Sequence, residues 1–329
     1  MGRIAVTDGM DDIAVKHLEE MGHEVVLQHY SPDELSSGAL STFDAVVIRS
    51  ATRMTEQVIL NSSGRNGQLK LIGRAGVGID NIDLTVSTSS RIAVCNTPGA
   101  STHAVVELTI GHLLACARHI TTGDRTLRDG EWAKKQLRGT ELSGKRLGLI
   151  GFGRIAQGVG QVARSLGMTL HTYDPYLPAE VAADQHCQLH DEIDEVFRLC
   201  THISIHCNLT EETHHLVNAK RLEMMPGIGI DGVPCGNHIV NCARGGIVDE
   251  VALLKALESG MVASAALDVF EKEPALDNPL IHHRNFHGTP HIGAATIEAQ
   301  ARIGEEMAEL LIDFFDGKKP KSIINPEIF

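Results

Sequence analysis

The chain has 329 residues, 43% of them hydrophobic, and a formal charge of −13. That length suits two domains of ordinary size, and no apolar run is long enough to span a bilayer. The negative charge argues against a nucleic-acid partner, whose phosphates need a basic footprint, and leaves any anionic ligand to be drawn by local arginines.

In chain order, Arg3 to Val6 reads as a strand, Ile13 to Met21 as a helix, and Glu24 to Leu27 and Ala45 to Ile48 as strands. Leu71-Ile72 and Ile92 to Val94 add two more strands, and a long helix is expected from Ala104 to Arg118. The first strand starts at once after Met1-Gly2 with neither a signal-peptide nor a myristoylation pattern, so a cytoplasmic protein is expected. Gly73-Arg-Ala-Gly-Val-Gly78 lacks the glycine spacing of a nucleotide loop and reads as a loop lining a cleft. Strand and helix signals alternate throughout, which predicts an α/β chain of two doubly wound parallel sheets.

The most telling segment is Gly148-Leu-Ile-Gly151-Phe-Gly153-Arg-Ile-Ala156. It follows an apolar strand, Arg146 to Ile150, and opens a helix that carries Ile155, Val159, Val162, Ala163 and Leu166 at helical spacing. Gly151 permits a tight turn, Gly153 lets backbone approach a pyrophosphate, and Ala156 allows close packing of strand and helix. A second strand, Thr169 to Tyr173, ends at Asp174, 23 positions after Gly151. A carboxylate there suits the adenosine ribose hydroxyls and repels a 2′-phosphate, so the cofactor expected is NAD rather than NADP.

Seven scattered cysteines without a C-x-x-C give no disulfide framework. Eighteen histidines, two pairs of them adjacent, show no metal-ligand spacing, and no metal site is expected. Three later stretches place charged groups among turn residues where strands should end: Val240 to Asp249 with Arg244, Ala266 to Pro274 with Asp268 and Glu273, and Thr289 to Gly293 with His291. The carboxyl ends of parallel strands line the ligand crevice, so an Arg, a Glu and a His delivered there can converge on one substrate. Taken singly, each has a bland reading: a surface ion-pairing Arg, a solvated Glu before proline, a capped loop His.

These motifs, with Val47-Ile-Arg49-Ser-Ala-Thr52, Asp80-Asn-Ile-Asp83, Asn96-Thr-Pro98 and Gly139-Thr-Glu-Leu142, run in order over nearly the whole chain. Together they resemble the NAD-dependent D-2-hydroxyacid dehydrogenases, most closely the branch that oxidises phosphoglycerate. The resemblance implies two Rossmann-like domains with the active site in the cleft between them. The substrate domain would be residues 1–98 and 293–329, the latter returning through a tail helix from Gly304 to Phe315, and the NAD domain residues 99–292. It makes Arg244 the clamp for the substrate carboxylate and C2 oxygen, His291 the proton-transfer group and Glu273 its partner. It assigns cofactor contacts to Gly151, Gly153, Arg154, Ile155, Asp174, His206, Asn208, Thr213, Cys242, Ala243, Asp268 and Gly293. Substrate contacts fall to Arg49, Ser50, Arg74 and Gly76 beside Arg244 and His291, with a phosphorylated 2-hydroxy or 2-oxo acid as the expected ligand.

A homodimer is expected, with Lys134 and Lys135 reaching the partner's site or forming a solvated turn. Longer family members carry a serine-responsive regulatory domain, and none is expected here. Glyoxylate or hydroxypyruvate reduction is the alternative within the family, and an NAD-sensing corepressor-like scaffold the alternative outside it. Two departures stand out. Asn208 replaces the family's usual proline, which predicts a less rigid loop, and Ile228 to Gly236 forms an insertion of about nine residues whose role is open.

Overall fold

The computed structural model describes all 329 residues, which divide into two compact units, Met1–Ser101 with Ala294–Phe329, and Thr102–Gly293. The boundaries fall at Ser101/Thr102 and Gly293/Ala294 instead of after residues 98 and 292, because the helix that opens the second unit begins at Thr102. No helix is long and apolar enough to cross a membrane.

The first unit is built on five parallel strands, β1 (Arg3–Val6), β2 (Glu24–Leu27), β3 (Ala45–Ile48), β4 (Leu71–Arg74) and β5 (Ala93–Asn96), in the order β2-β1-β3-β4-β5. Side chains alternate across the sheet. Ile4, Val6, Val47 and Leu71 face one apolar layer, while Ala5, Val46, Ile48 and Ile72 face the other, so both faces are covered, as a parallel sheet requires. The tail helix, Ile297–Phe315, fills the first layer with Ile303, Met307 and Leu311. It begins seven residues before the expected Gly304, because Thr296 caps it through the amide of Ala299. Gly304 lies within the helix, where a Cβ would come 2.8 Å from Asp11 Cβ, so the glycine allows close approach to the Asp12–Glu20 helix.

The second unit holds seven parallel strands: β6 (Arg146–Ile150), β7 (Thr169–Tyr173), β8 (Cys187–Leu189), β9 (His202–Ile205), β10 (His238–Asn241), β11 (Ser264–Leu267) and β12 (Phe286–Gly288). Their order is β12-β11-β10-β9-β6-β7-β8, so the chain reverses direction across the sheet between β6 and β9. In open α/β sheets ligands sit outside the carboxyl ends of the strands at such a reversal. The Thr102–Arg118 helix packs Val105, Val106, Leu113 and Cys116 with the Arg154–Ser165 helix on one face. Val196, Phe197, Leu222 and Leu253 cover the other.

Candidate functional site

All the residues expected to carry the reaction chemistry lie in the second unit, at the carboxyl ends of its strands. The turn after β6 bends at Gly151, whose φ is +83° and whose missing Cβ would sit 2.9 Å from the Cys207 amide. A larger residue would meet both backbone strain and a clash there. Gly153 caps the Arg154–Ser165 helix without a side-chain hydrogen bond, which leaves the first-turn N–H groups available to a phosphate. No protein atom opposes a Cβ at Gly153, so packing within the chain does not require glycine there. Ala156 is fully buried under the sheet, at the position that calls for a small residue. Arg154 is exposed and Ile155 half-buried at the start of the helix.

Asp174 follows β7 directly. Its carboxylate accepts from the amides of Phe152 (2.9 Å) and Tyr176 (3.0 Å), which fixes it beside the glycine turn. The donor set and the uncapped helix therefore fit a dinucleotide with an unmodified ribose. His206 backs this turn: its amide donates to Ile150 (2.7 Å), its ring pairs with Ser204 (2.9 Å), and burial lowers its pKa to about 3, so it is neutral. Asn208 is exposed, and its loop is tied by Thr213, whose hydroxyl donates to the Asn208 carbonyl (2.7 Å) and accepts from the Thr210 amide (2.7 Å).

Arg244 is delivered by a turn built on Asn241, a residue that spacing alone did not single out. The buried Asn241 amide group donates to the Arg244 carbonyl (2.8 Å) and accepts from the Ala243 amide (2.9 Å). Gly245 then lets this turn pass against the Phe270 carbonyl, where a Cβ would overlap it. That contact sets Arg244 beside the loop carrying Glu273. Cys242, on the same turn, is buried and its thiol is pushed up to about 12, so it remains uncharged.

Glu273 Oε1 accepts from the Phe270 amide (3.1 Å), and Oε2 pairs with His291 Nδ1 at 2.9 Å. Burial raises the Glu273 carboxyl, but the His291 hydrogen bond and charge, the Phe270 amide and the nearby Arg244 charge together pull it below the usual range. With Nδ1 committed to Glu273, Nε2 is the ring nitrogen left to exchange a proton with a ligand. His291 itself has φ +53°, a left-handed conformation that costs a non-glycine residue on the order of 1–3 kcal/mol. Asp268 offsets this. Its carbonyl accepts from the His291 amide (2.8 Å), and its buried carboxylate accepts from Ile292 and Gly293 amides, each at 2.8 Å.

In the first unit, the segment read from sequence as a loop at Gly73 to Gly78 starts inside β4. Gly73 is a strand residue whose Cβ would overlap the tail helix at Met307, and only the part after Arg74 is a loop. The Arg74 guanidinium donates to Ser50 Oγ (3.3 Å) and folds over Gly76, which has no room for a Cβ. The Arg49–Thr52 turn is held by Asp8, which sequence reading missed, and by Asn81, whose motif was noted without a role for it. Asp8 accepts from the amides of Arg49 (2.7 Å) and Thr52 (3.0 Å), and Asn81 donates to the carbonyls of both. These contacts engage the Arg49 backbone, while its guanidinium makes no ion pair within the chain.

Lys134 and Lys135 are exposed. The Ile228–Gly236 insertion folds as a small hairpin closed by an Ile228–Pro234 bridge. Asp231 in it pairs at 2.6 Å with the buried Lys145, which precedes β6. It thus belongs to the amino ends of the strands, opposite the residues described above.

Residues 110–293 match the family described as D-isomer specific 2-hydroxyacid dehydrogenase, NAD binding domain. The chain is 42% identical over 325 residues to a D-3-phosphoglycerate dehydrogenase of Methanocaldococcus jannaschii, a match covering 99% of this chain and 60% of that protein. It is 44% identical over 313 residues to a hydroxypyruvate reductase of Thermotoga maritima, covering 93% of this chain and 96% of that one. A solved structure from Thermus thermophilus matches with a TM-score of 0.85 at 31% identity, over 98% of this chain and 99% of the other. The chain spans about three fifths of the phosphoglycerate dehydrogenases it matches. Family match, parallel-sheet architecture and a dinucleotide turn agree, and the chain belongs to the D-isomer-specific 2-hydroxyacid dehydrogenases, with NAD as cofactor.

Proposed function

We propose that the protein oxidises D-3-phosphoglycerate to 3-phosphohydroxypyruvate with NAD. The observation that carries the chemistry is the 2.9 Å His291–Glu273 pair beside Arg244, at the same strand ends as the dinucleotide turn. NAD, when bound, accepts the hydride from C2. His291 Nε2 takes the hydroxyl proton as the C2–O bond becomes a carbonyl, and Glu273 holds the resulting imidazolium. Arg244 binds the carboxylate in bidentate fashion and polarises the C2 oxygen. Gly151, Gly153, Arg154, Ile155 and Asp174 hold the pyrophosphate and ribose, with His206, Asn208, Thr213, Cys242, Ala243, Asp268 and Gly293 completing the cofactor site. Arg49 and Arg74, with Ser50 and Gly76, bind the phosphate.

The 44% identity to a hydroxypyruvate reductase along nearly its whole length supports a second reading, reduction of an unphosphorylated 2-oxo acid by the same residues. A substrate panel separates the two. NADH formation or consumption is followed with 3-phosphoglycerate, phosphohydroxypyruvate, hydroxypyruvate and glyoxylate, and phosphorylated acids give the higher kcat/KM on the main reading. Higher kcat/KM with hydroxypyruvate or glyoxylate sinks it while leaving the dehydrogenase chemistry in place. We place the protein in the cytoplasm as a homodimer. Ile120, Leu127 and Trp132, in the segment leading to Lys134 and Lys135, are large apolar side chains left exposed, and a monomer in light scattering would remove that assignment.

A further inference from the structure

Two imidazoles, His112 buried and His287 half-buried, lie beside Thr289 at the start of the His291 loop. His112 is on the Thr102–Arg118 helix, a face otherwise packed with Val105, Val106, Leu113 and Cys116, and His287 is on β12. His112 Nδ1 lies 3.1 Å from His287 Nε2, and His112 Nε2 lies 3.2 Å from Thr289 Oγ1. Thr289 Oγ1 donates to Asp268 Oδ1 at 2.6 Å. Burial lowers both imidazoles, His287 to about 4, so each carries a single ring proton at neutral pH.

The proton count fixes every direction in this row. The one hydroxyl proton of Thr289 is used on Asp268, so toward His112 the threonine can only accept, and His112 Nε2 must carry the N–H. Its Nδ1 is then bare and accepts from His287 Nε2–H. All three bonds point toward Asp268, and the carboxylate end of the row is the one that clamps the left-handed His291 segment through the Ile292 and Gly293 amides. Burying His112 in an apolar layer is unfavourable unless its hydrogen bonds are satisfied, and here they run from His287 on one side to Asp268 through Thr289 on the other.

We propose that Thr289 and His112 are positioning residues for His291: the His287–His112–Thr289 row orients the Asp268 carboxylate, and Asp268 holds the His291 loop. This rests on the reading of His291 as the proton-transfer group. The row sets geometry and transfers no proton.

The test uses Thr289→Val, Thr289→Ser and the double variant His112→Leu/His287→Leu, which leaves neither imidazole without its partner if the single variants fold poorly. Amide hydrogen exchange at Ile292 and Gly293 reads the clamp directly, without turnover. Exchange accelerates about tenfold or more in Thr289→Val and in the double variant, and stays near wild type in Thr289→Ser. In steady state with saturating NAD, kcat falls about 10²-fold in Thr289→Val, as expected for a displaced catalytic group, and serine restores it. A lower Tm with unchanged exchange at these two amides and unchanged kcat would assign the row to stability alone and overturn the proposal, as would loosened amides with full kcat. A wild-type protein inactive on the whole substrate panel would remove the reading of His291 instead, and the exchange data would still decide whether the row holds the loop.

Discussion

Replacing Glu273 with Gln tests the proton-transfer pair with almost no change of shape. In the wild type both carboxylate oxygens accept, Oε1 from the Phe270 amide at 3.1 Å and Oε2 from His291 Nδ1 at 2.9 Å. Glutamine has only one oxygen for two donors. If that oxygen stays with Phe270, the new NH2 faces Nδ1, forces the ring to carry its proton on Nε2, and removes the base. If the oxygen turns to His291, two donors face each other at Phe270. In the first case loss of the placed base predicts a kcat about 10²–10⁴-fold lower, equivalent to about 3–5 kcal/mol of barrier; in the second the base is kept, its loop is loosened at Phe270, and kcat falls less. The pH dependence adds a sign. The Glu273 carboxyl is held below its usual range, so the pairing is present above the ordinary carboxylate pKa and is lost only as pH falls through the depressed value. With glutamine the imidazolium loses its counter-charge, and the pH optimum for reduction of the 2-oxo acid moves to lower pH. NADH absorbance followed in both directions from mildly acid to mildly alkaline pH reads both effects. Wild-type kcat with an unmoved profile would refute the assignment of Glu273 as partner of His291.

Asp174→Ala weakens NAD binding and admits NADP, which titration of both cofactors by fluorescence measures; a wild type preferring NADP would contradict the carboxylate's role. Arg49→Gln costs about 2–5 kcal/mol in kcat/KM for 3-phosphoglycerate but much less for unphosphorylated glycerate. Equal losses on the two acids would make Arg49 a structural brace. Asp231→Asn lowers Tm more than Lys145→Met, since only the first leaves a buried ammonium without its carboxylate, and neither changes kcat/KM. The reverse order in thermal denaturation would mean that the Lys145–Asp231 pair does not anchor the insertion.

The β6 turn, its helix and β7 were legible because three local signals agreed: an apolar strand, glycines where φ or packing needs them, and helical spacing after them. The tail helix was half legible, since its first turn is set by the Thr296 cap and not by apolar spacing. The roles of Asp8 and Asn81 escaped notice for a different reason. Their partners at Arg49 and Thr52 lie far along the chain, and a short polar residue after a strand looks the same whether it caps a distant loop or faces water. His112 was invisible in the same way: a single histidine on the buried side of a helix has no periodicity of its own, and its meaning comes from His287 and Thr289, brought beside it by the sheet.

The two sets of candidate residues are built on opposite plans, and this bears on how substrate preference can change within the family. His291 is fixed through its own backbone and its ring, by Asp268 on one side and Glu273 on the other, so substitutions around it disturb the chemistry. The Arg49 side chain takes no part in the bonds that hold its segment: Asp8 and Asn81 grip the amides and carbonyls of Arg49 and Thr52, and Asp8 also accepts from the Thr52 hydroxyl (2.7 Å), so none of these contacts makes a demand on the guanidinium. Exchanging that side chain therefore changes what the proposed phosphate site offers while leaving the turn intact. Relatives of similar identity can then bear the names of a phosphoglycerate dehydrogenase and a hydroxypyruvate reductase without a change in the proton-transfer machinery. On this argument Asp8→Ala, which releases the turn, weakens every substrate held there, whereas Arg49→Gln discriminates between them. Steady-state kinetics of the two variants on phosphorylated and unphosphorylated acids distinguishes these cases, and identical selectivity changes in both would show that the turn and its side chain act as one unit.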